Sequence, residues 1–298
     1  MDGQKIRPGH NLTDRQRGLL LGLVGVICFS FTVPMTKLTL GSLNPWLVSF
    51  GRIAGAGLIS LVILYQQGKL FLIRKHFRTL VGISFGVGLG FPVLMTVAMY
   101  STSSSHAGIV LALLPLTTAL FGALIHRETH KTGFWIISGS GCLTVLGYVL
   151  FREKVTLQTA DLLLLGATVS ASLGYALGAQ LTRQLSGLDV ICCALVLVLP
   201  ISIPAAVVSW FYQPPSGLTA SALTGMVYVT LLSQLFGFVP WYKGLALGGV
   251  ALVSQLQLLQ TFFTLIISAW LLSESIGWVE YGVALLVIAQ IYLAKKVA

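Results

Sequence analysis

The stretch VSQLQLLQTFFTLIISAWLLSE, residues 253–274, is long enough to cross a bilayer and carries no charge before its last residue. A spanning helix needs about 20 predominantly apolar residues. Gln255, Gln257 and Gln260 nevertheless lie inside this stretch. Because an amide in hydrocarbon is costly without a partner, such side chains tend to face a bundle interior or a water-filled cavity. The stretch therefore predicts a transmembrane helix that faces a polar interior.

The whole chain has the composition of a polytopic membrane protein. Of its 298 residues, 56% are hydrophobic and 9% are charged, and the mean hydropathy is +0.90. Continuous apolar runs rich in glycine, without alternation, favour helices over barrel strands. We predict an all-α integral membrane protein with ten transmembrane helices. These predicted spans 1 to 10 cover about residues 18–40, 44–66, 77–100, 105–126, 132–151, 161–182, 189–212, 218–243, 247–272 and 277–295.

The basic residues predict the orientation of these spans. Fourteen of the eighteen lysines and arginines fall in the N-terminal tail 1–17, in alternate loops or after the last span. Such an excess marks the cytoplasmic side of a membrane protein. We therefore expect both termini in the cytoplasm of an inner (plasma) membrane protein. The net charge of +10 then indicates an anionic membrane surface and not a nucleic-acid partner.

Residues with similar properties recur at one offset along the chain. Phe29 and Tyr175 lie 146 residues apart, and both occupy the second half of a predicted span. Lys37 with Arg183 and Glu128 with Glu274 share this offset. An offset of five spans predicts two five-helix repeats, residues 18–151 and 152–298. Because five is odd, the second repeat must be inverted, which is a frequent construction of secondary transporters with a central binding site.

The ordered motifs of the chain resemble the EamA-type drug/metabolite transporter superfamily. The resemblance covers both halves and rests on Phe29-Ser30 with Lys37, Pro45 with Arg52, and HAGIVLALLPLTTALFGALIHRE at 106–128 with Pro115 and Glu128. One departure is Thr261, where the second repeat of the family usually has proline. The resemblance implies export of small metabolites by alternating access without ATP hydrolysis. Within the superfamily, the ten-helix exporters of aromatic and other amino acids look most similar.

The glutamines of predicted span 9 are the first candidates for substrate binding. Gln257 and Gln260 are three residues apart, and such residues are neighbours on a helix surface. We interpret them as amides that bind the carboxylate and ammonium of a zwitterion. The alternative is hydrogen bonding between helices, which is also the interpretation that we favour for Gln255.

Other candidate substrate-binding residues lie on several predicted spans. Tyr175 is too deep for an interfacial position, and Phe29 is its repeat mate. Trp241 could stack on a substrate or belong to the interfacial aromatic belt. The remaining candidates are Gln234 on span 8, with Met95 and Tyr100 near the outer end of span 3.

Charged side chains are few within the predicted spans. Arg52 could bind a carboxylate or pair structurally, and we favour the structural role. Lys37 could act at a gate or snorkel to the interface. No Asp or Glu lies at the centre of a span, which weakens the case for a carboxylate proton relay, although His106 near the outer mouth could titrate.

Prolines and glycines predict where the helices bend. Pro92, Pro115, Pro240 and Gly90 are the candidate gating residues, because glycine and proline weaken a helix locally. Close packing of immobile helices is the alternative.

The remaining function classes have weaker support. An intramembrane enzyme would need paired acids, a His/Cys constellation or a metal set, so we predict no catalytic residue, no metal and no cofactor. A channel would require a ring of charges or a carbonyl filter. The main alternative to an amino acid exporter is a multidrug, nucleoside or other metabolite exporter of the same fold. A lipid translocator is less favoured. We expect a small-molecule substrate, membrane lipids as surroundings, and a monomer or weak dimer.

Overall fold

The computed structural model of the protein is built from helices that follow the apolar runs. It describes residues 12–102, 107, 110–126, 129, 131–153, 159–215, 217–272 and 278–297, and no strand occurs among them. The helices of the first half are α1 Leu12–Ser30, α2 Thr32–Leu40, α3 Pro45–Gln66, α4 Phe71–Lys75, α5 Phe77–Ile83, the π-helix π1 Ser84–Gly90, α6 Phe91–Ser101, α7 Leu114–His126 and α8 Thr132–Glu153.

The second half repeats this pattern of α-helices with one π-helix. Its helices are α9 Thr159–Leu181, α10 Gly187–Leu197, α11 Leu199–Tyr212, α12 Ala220–Tyr228, the π-helix π2 Val229–Phe236, α13 Phe238–Gly248, α14 Val250–Ser254, α15 Gln257–Leu272 and α16 Trp278–Val297.

Six segments of the described chain are long and apolar enough to cross a membrane. They are Asp14–Leu40, Pro45–Gln66, Phe77–Ser101, Ala160–Leu181, Ala220–Gly248 and Val250–Leu271. A seventh is counted if α10 and α11, which meet at 58°, form one bent span. The all-helical membrane fold is thus confirmed in this coarser form. The total of ten spans stays a prediction, with α7, α8 and α16 in the remaining three.

Several predicted spans are interrupted where the sequence alone suggested continuous helices. Phe31 separates α1 from α2, and a turn at Gln255–Leu256 separates α14 from α15. The bend at Val198 comes two residues before Pro200, which cannot donate a backbone hydrogen bond. The π-helices widen the backbone in the middle of spans 3 and 8, and such segments are frequent at functional sites. Most of these interruptions lie near the centre of the molecule.

Glycines allow helices of the two halves to approach closely. A Cβ atom built on Gly244 of α13 would lie 2.6 Å from the Gly22 nitrogen and 2.8 Å from the Gly18 oxygen of α1. A Cβ atom on Gly86 of π1 would lie 2.9 Å from the Gly174 Cα of α9. Small residues at both crossings bring backbones into contact, as expected for helix packing in membranes.

Polar contacts join the two halves at both ends of the bundle. At one end, the Asn44 side chain caps α3 by accepting from the Leu47 N–H at 2.8 Å. Its Nδ2 donates to the Gln213 carbonyl at 2.7 Å, so the loops after α2 and α11 meet. At the other end, Lys69 Nζ donates to both carboxylate oxygens of Asp189, at 2.9 and 3.0 Å. The second contact lies at the predicted cytoplasmic end.

Lys69→Gln is expected to destabilise the protein more than Asp189→Asn. The Asp189 side chain is 8% exposed and the Lys69 side chain 37%. Removing the lysine leaves a buried carboxylate unpaired, at a cost of about 1–3 kcal/mol. Removing the carboxylate leaves an ammonium that reaches solvent, at a cost of about 1 kcal/mol or less. Thermal unfolding of both variants and of the double variant measures the difference, and equal effects would contradict this asymmetry.

Candidate functional site

A narrow cavity lies at the centre of the bundle, where π1, π2 and the ends of α1 and α2 come together. Its volume is about 10 Å³, room for a single water molecule. Typical ligand pockets measure about 300–1,000 Å³. This cavity, as the described residues enclose it, is therefore too small for such a ligand.

Aromatic rings form one side of this cavity, and they come in pairs from the two halves. Phe29 of α1 and Tyr175 of α9 stack with a centroid distance of 6.3 Å and an interplanar angle of 14°. Phe91 and Phe238 are the first residues of α6 and α13, the helices that follow π1 and π2, and both line the cavity. The two pairs lie 146 and 147 residues apart in the chain. Each pair thus brings one residue of the first half and one of the second half to the cavity.

Trp241 completes the aromatic cluster from behind the cavity wall. Its ring meets Tyr175 edge to face at 5.4 Å and Phe29 at 6.1 Å. The ring is fully buried. It supports the rings that line the cavity, although it is not one of the lining residues in this closed structure. Phe238 touches the same two rings, at 5.1 Å from Phe29 and 6.1 Å from Tyr175.

Hydroxyl groups and one guanidinium form a second, polar part of the cavity lining. Ser233 Oγ accepts a hydrogen bond from Arg52 Nη2 at 2.8 Å and lies 2.8 Å from Thr32 Oγ1. All three side chains line the cavity and are buried. The Nε and Nη1 atoms of Arg52 have no hydrogen-bond partner among the described residues. A buried cation with unused donors therefore faces the cavity.

Two amides extend this polar side. Gln234 of π2 donates from Nε2 to the Val87 carbonyl of π1 at 3.0 Å. These residues are 147 apart, so the bond joins equivalent positions of the two π-helices across the cavity. Gln260 of α15 also lines the cavity, and its Oε1 has no partner in the described part of the chain. The site offers a cation, hydroxyls and amides together with an aromatic wall.

A family model identifies the class of protein to which this cavity belongs. The model of the EamA-like transporter family matches residues 16–152 and again residues 158–295. The chain belongs to the EamA-like transporter family. It is therefore a multi-pass membrane transporter, and family membership points to transport rather than catalysis.

Similar proteins agree with this assignment. The chain is 39% identical over 286 residues to "Uncharacterized transporter YdeK" of Bacillus subtilis (strain 168), covering 94% of this chain and 98% of that protein. It is 21% identical over 231 residues to "Uncharacterized transporter YoaV" of the same strain, covering 75% of this chain and 78% of that protein. A crystal structure of a protein with 16% identity superimposes with a TM-score of 0.77, covering 95% of this chain and 98% of that chain. This last likeness shows the fold alone.

The structure brings four of the eight predicted substrate-binding residues of this EamA transporter to the cavity. These are Phe29, Tyr175, Gln234 and Gln260. Trp241 lies directly behind them, as described above. Gln257 and Met95 are buried in the bundle without lining the cavity, and Tyr100 is 67% exposed near the end of α6. Their roles stay predictions.

The predicted gating residues lie beside the π-helices or at a helix contact. Gly90 ends π1 and Pro92 follows two residues later, while Pro240 comes four residues after the end of π2. The Pro115 carbonyl accepts from Ser254 Oγ at 3.2 Å, which joins α7 to α14. The two π-helices thus end next to three of the four candidates, but their movement stays a prediction.

Other sequence-based predictions have different outcomes. Gln255 was expected to hydrogen bond between helices, but its Nε2 donates to the Ala251 carbonyl one turn earlier, at 3.3 Å. Lys37 donates to the Met99 and Thr102 carbonyls at 2.9 and 2.8 Å, so it joins α2 to the end of α6. The predictions for His106, Glu128 and Glu274 lie outside the described residues.

Sequence reasoning missed the polar partners and one aromatic pair of this site. Arg52 was interpreted as structural, and Thr32, Ser233, Phe91 and Phe238 were not singled out. One signal was available for the aromatic pair. A Gly-Phe pair occurs at 90–91 and again 147 residues later at 237–238. Pro92 follows the first pair directly, and Pro240 follows the second pair after one residue.

Proposed function

We propose that this protein is a secondary exporter that moves small metabolites, above all amino acids including aromatic ones, out of the cytoplasm. The observation that carries the proposal is the central cavity, which residues of both halves line with aromatic rings and polar groups. Aromatic rings suit apolar side chains, and the amides, hydroxyls and guanidinium suit the polar head of an amino acid. The sequence contains no G-x-x-x-x-G-K-[ST] loop, which agrees with transport without ATP hydrolysis.

The transport path in this proposal runs through ten spans arranged as two inverted five-helix repeats, 18–151 and 152–298. Two matches of one family model along the chain support the duplication. The two π-helices support it further, because the α-helix after each of them begins with a cavity-lining phenylalanine. Inverted repeats hold substrate between them and rock around it, which gives alternating access.

The small cavity fits a closed intermediate of such a cycle. A volume of about 10 Å³ cannot hold an amino acid, so the halves must separate at one end to admit substrate. Inter-half contacts at both ends, Asn44 with Gln213 and Lys69 with Asp189, are the bonds that would alternate. The candidate pivots are Pro92, Pro115, Pro240 and Gly90.

The proposed setting is the inner (plasma) membrane, with both termini in the cytoplasm. The uneven distribution of lysine and arginine along the sequence supports this orientation. The many exposed apolar side chains of the described helices fit lipid contact, and we propose a monomer or weak dimer.

Counterflow of radiolabelled amino acids into proteoliposomes tests the proposal. Gln260→Leu is expected to lower exchange about five- to tenfold, since an amide that contacts substrate contributes about 1–1.5 kcal/mol. Gln257→Leu is expected to lower exchange too, because both polar atoms of this buried amide lack a partner in the described chain and are available to a substrate in an opened state.

Gln255→Leu is the matched control on the same segment. Its Nε2 donates to the Ala251 carbonyl of α14, and it does not line the cavity, so the variant is expected to exchange amino acids at the rate of the unmodified protein. If all three variants exchange equally well, the glutamines pack helices and do not bind substrate. If the unmodified protein exchanges no amino acid but moves drugs, nucleosides or lipids, the amino-acid assignment is wrong and that alternative replaces it.

A further inference from the structure

We propose that Arg52 recognises a carboxylate of the transported molecule, so that substrates are organic acids or amino acids with an apolar, preferably aromatic, body. The inference rests on the proposed function and names its substrate class. It assigns to Arg52 the role of a binding residue, which is different from the structural role that the sequence favoured.

The surroundings of Arg52 are those of a binding residue and not of a satisfied structural cation. The side chain is 1% exposed and lies in the first half of α3, a segment long and apolar enough to cross the membrane. Burying a charge without a partner is expensive, so an intramembrane cation is expected to have one. In the described chain, Arg52 has a single hydrogen-bond partner, the neutral Ser233 hydroxyl, and no acid lines the cavity.

Lys37 provides the contrast within the same chain. Its ammonium donates to two backbone carbonyls, Met99 O at 2.9 Å and Thr102 O at 2.8 Å. It therefore has protein acceptors for two of its three protons. Arg52 leaves Nε and Nη1 without any acceptor among the described residues, and it lines the cavity. Lys37 keeps at most one spare proton and does not line the cavity, whereas Arg52 presents several unused donors to it.

A carboxylate is the ligand chemistry that completes this side of the cavity. A planar guanidinium presents five N–H donors in a fork that matches the two oxygens of a carboxylate. The Thr32 and Ser233 hydroxyls lie next to it and can orient the bound group. Among the described residues, no carboxylate lines the cavity to pair with a substrate ammonium, so a free amino group is tolerated against the aromatic rings but not required.

Three ligands with one phenyl body and different heads test the inference on the full-length protein. L-Phenylalanine and 3-phenylpropionate carry a carboxylate, whereas 3-phenylpropanamide replaces it by a neutral amide of similar shape. Each is titrated against the purified protein, and the rise in melting temperature is recorded. Both acids are expected to reach half-maximal stabilisation at a concentration at least about tenfold lower than the amide, as a charged hydrogen bond implies.

The ligand series separates this inference from the proposed function. Stabilisation by 3-phenylpropionate but not by phenylalanine supports carboxylate recognition and removes amino acids from the substrate list. Equal potency of the amide and the acids overturns the inference, and it leaves amino-acid export standing if phenylalanine still exchanges in proteoliposomes. Absence of a shift with all three compounds overturns the inference.

Variants assign the effect to the residue. Arg52→Gln is expected to abolish the preference for acids over the amide, and Arg52→Lys is expected to retain it in weaker form. Lys37→Gln, which removes the cation contrasted above with Arg52, is expected to keep the full preference. If Arg52→Gln does not fold, Arg52→Lys and the unmodified protein still decide the question. A preference that survives Arg52→Gln, or that disappears in Lys37→Gln, overturns the assignment.

Discussion

Gly244→Ala is expected to destabilise the protein by about 1–3 kcal/mol, the cost of overpacking a tight helix contact. The added methyl group would lie 2.6 Å from the Gly22 nitrogen and 2.8 Å from the Gly18 oxygen. Both are backbone atoms, so no side chain can move aside to make room. Relief requires α13 to move away from α1, and this movement would separate the aromatic cluster formed by Trp241 with Phe29.

Thermal unfolding in one detergent measures this effect, with Gly139→Ala as the matched control. Gly139 also lies inside a helix, α8, and a Cβ atom built there meets no atom within 4 Å. The control is expected to unfold at the same temperature or slightly higher, because alanine is a better helix former than glycine by about 1 kcal/mol. Equal losses in the two variants would show that the α1–α13 crossing tolerates a methyl group.

The all-helical membrane fold could be predicted from the sequence because hydropathy and length are local properties. The interruptions within these helices could not be predicted from it. A π-helix has the same apolar composition as the α-helix around it, and only the backbone hydrogen bond, such as Gly237 N–H to Leu232 O at 2.7 Å, reveals it. The shared Gly-Phe steps at 90–91 and 237–238 were visible in the sequence. The sequence alone did not indicate that these steps follow a change from α-helix to π-helix.

The candidate site was predicted only in part, because the face that a residue presents depends on the phase of its helix. Gln260 lines the cavity whereas Gln257 does not, although they are neighbours on α15. The turn at Gln255–Leu256 interrupts the helix just before α15 begins, so the faces of α15 do not continue those of α14. Tyr175 was predicted from its depth in the span and Phe29 from the repeat offset, and neither argument requires knowledge of the helical phase.

The role of Arg52 depends on its surroundings, which the sequence does not contain. A buried arginine is structural when an acid or several carbonyls receive its protons, and it is a binding residue when they do not. The sequence contains eight acidic residues, but it cannot show which helices meet and therefore which groups lie next to Arg52. The packing of α3 against π2 gives Arg52 the Ser233 hydroxyl as its single described acceptor.

Phe238→Ala is expected to abolish transport and to destabilise the protein by about 3–5 kcal/mol, the usual cost of removing a buried phenylalanine ring. The ring is 4% exposed, lines the cavity and contacts Phe29, Tyr175 and Tyr242 with centroid distances between 5.1 and 6.1 Å. Its loss would remove the centre of the aromatic wall. Phe238→Leu refills much of the space and is expected to restore folding but not the transport of aromatic substrates.

Phe236→Ala is the control, since this ring lies two residues earlier and is 42% exposed on the outside of the bundle. Its effect on stability is expected to stay within about 0.5 kcal/mol, with transport unchanged. Melting temperatures in one detergent, and counterflow normalised to folded protein, give both readouts. Phe238→Leu with full transport of phenylalanine would contradict the role of the ring in substrate binding.

Phe91→Ala tests whether the two halves contribute equally to this wall. Phe91 and Phe238 each follow a π-helix and line the cavity from opposite halves. In an inverted-repeat transporter the halves exchange conformations between the inward and outward states. Each phenylalanine then takes the surroundings of the other once per cycle, so Phe91→Ala is expected to lower counterflow as strongly as Phe238→Ala. A large loss in Phe238→Ala alone would show that the second half carries the binding wall by itself.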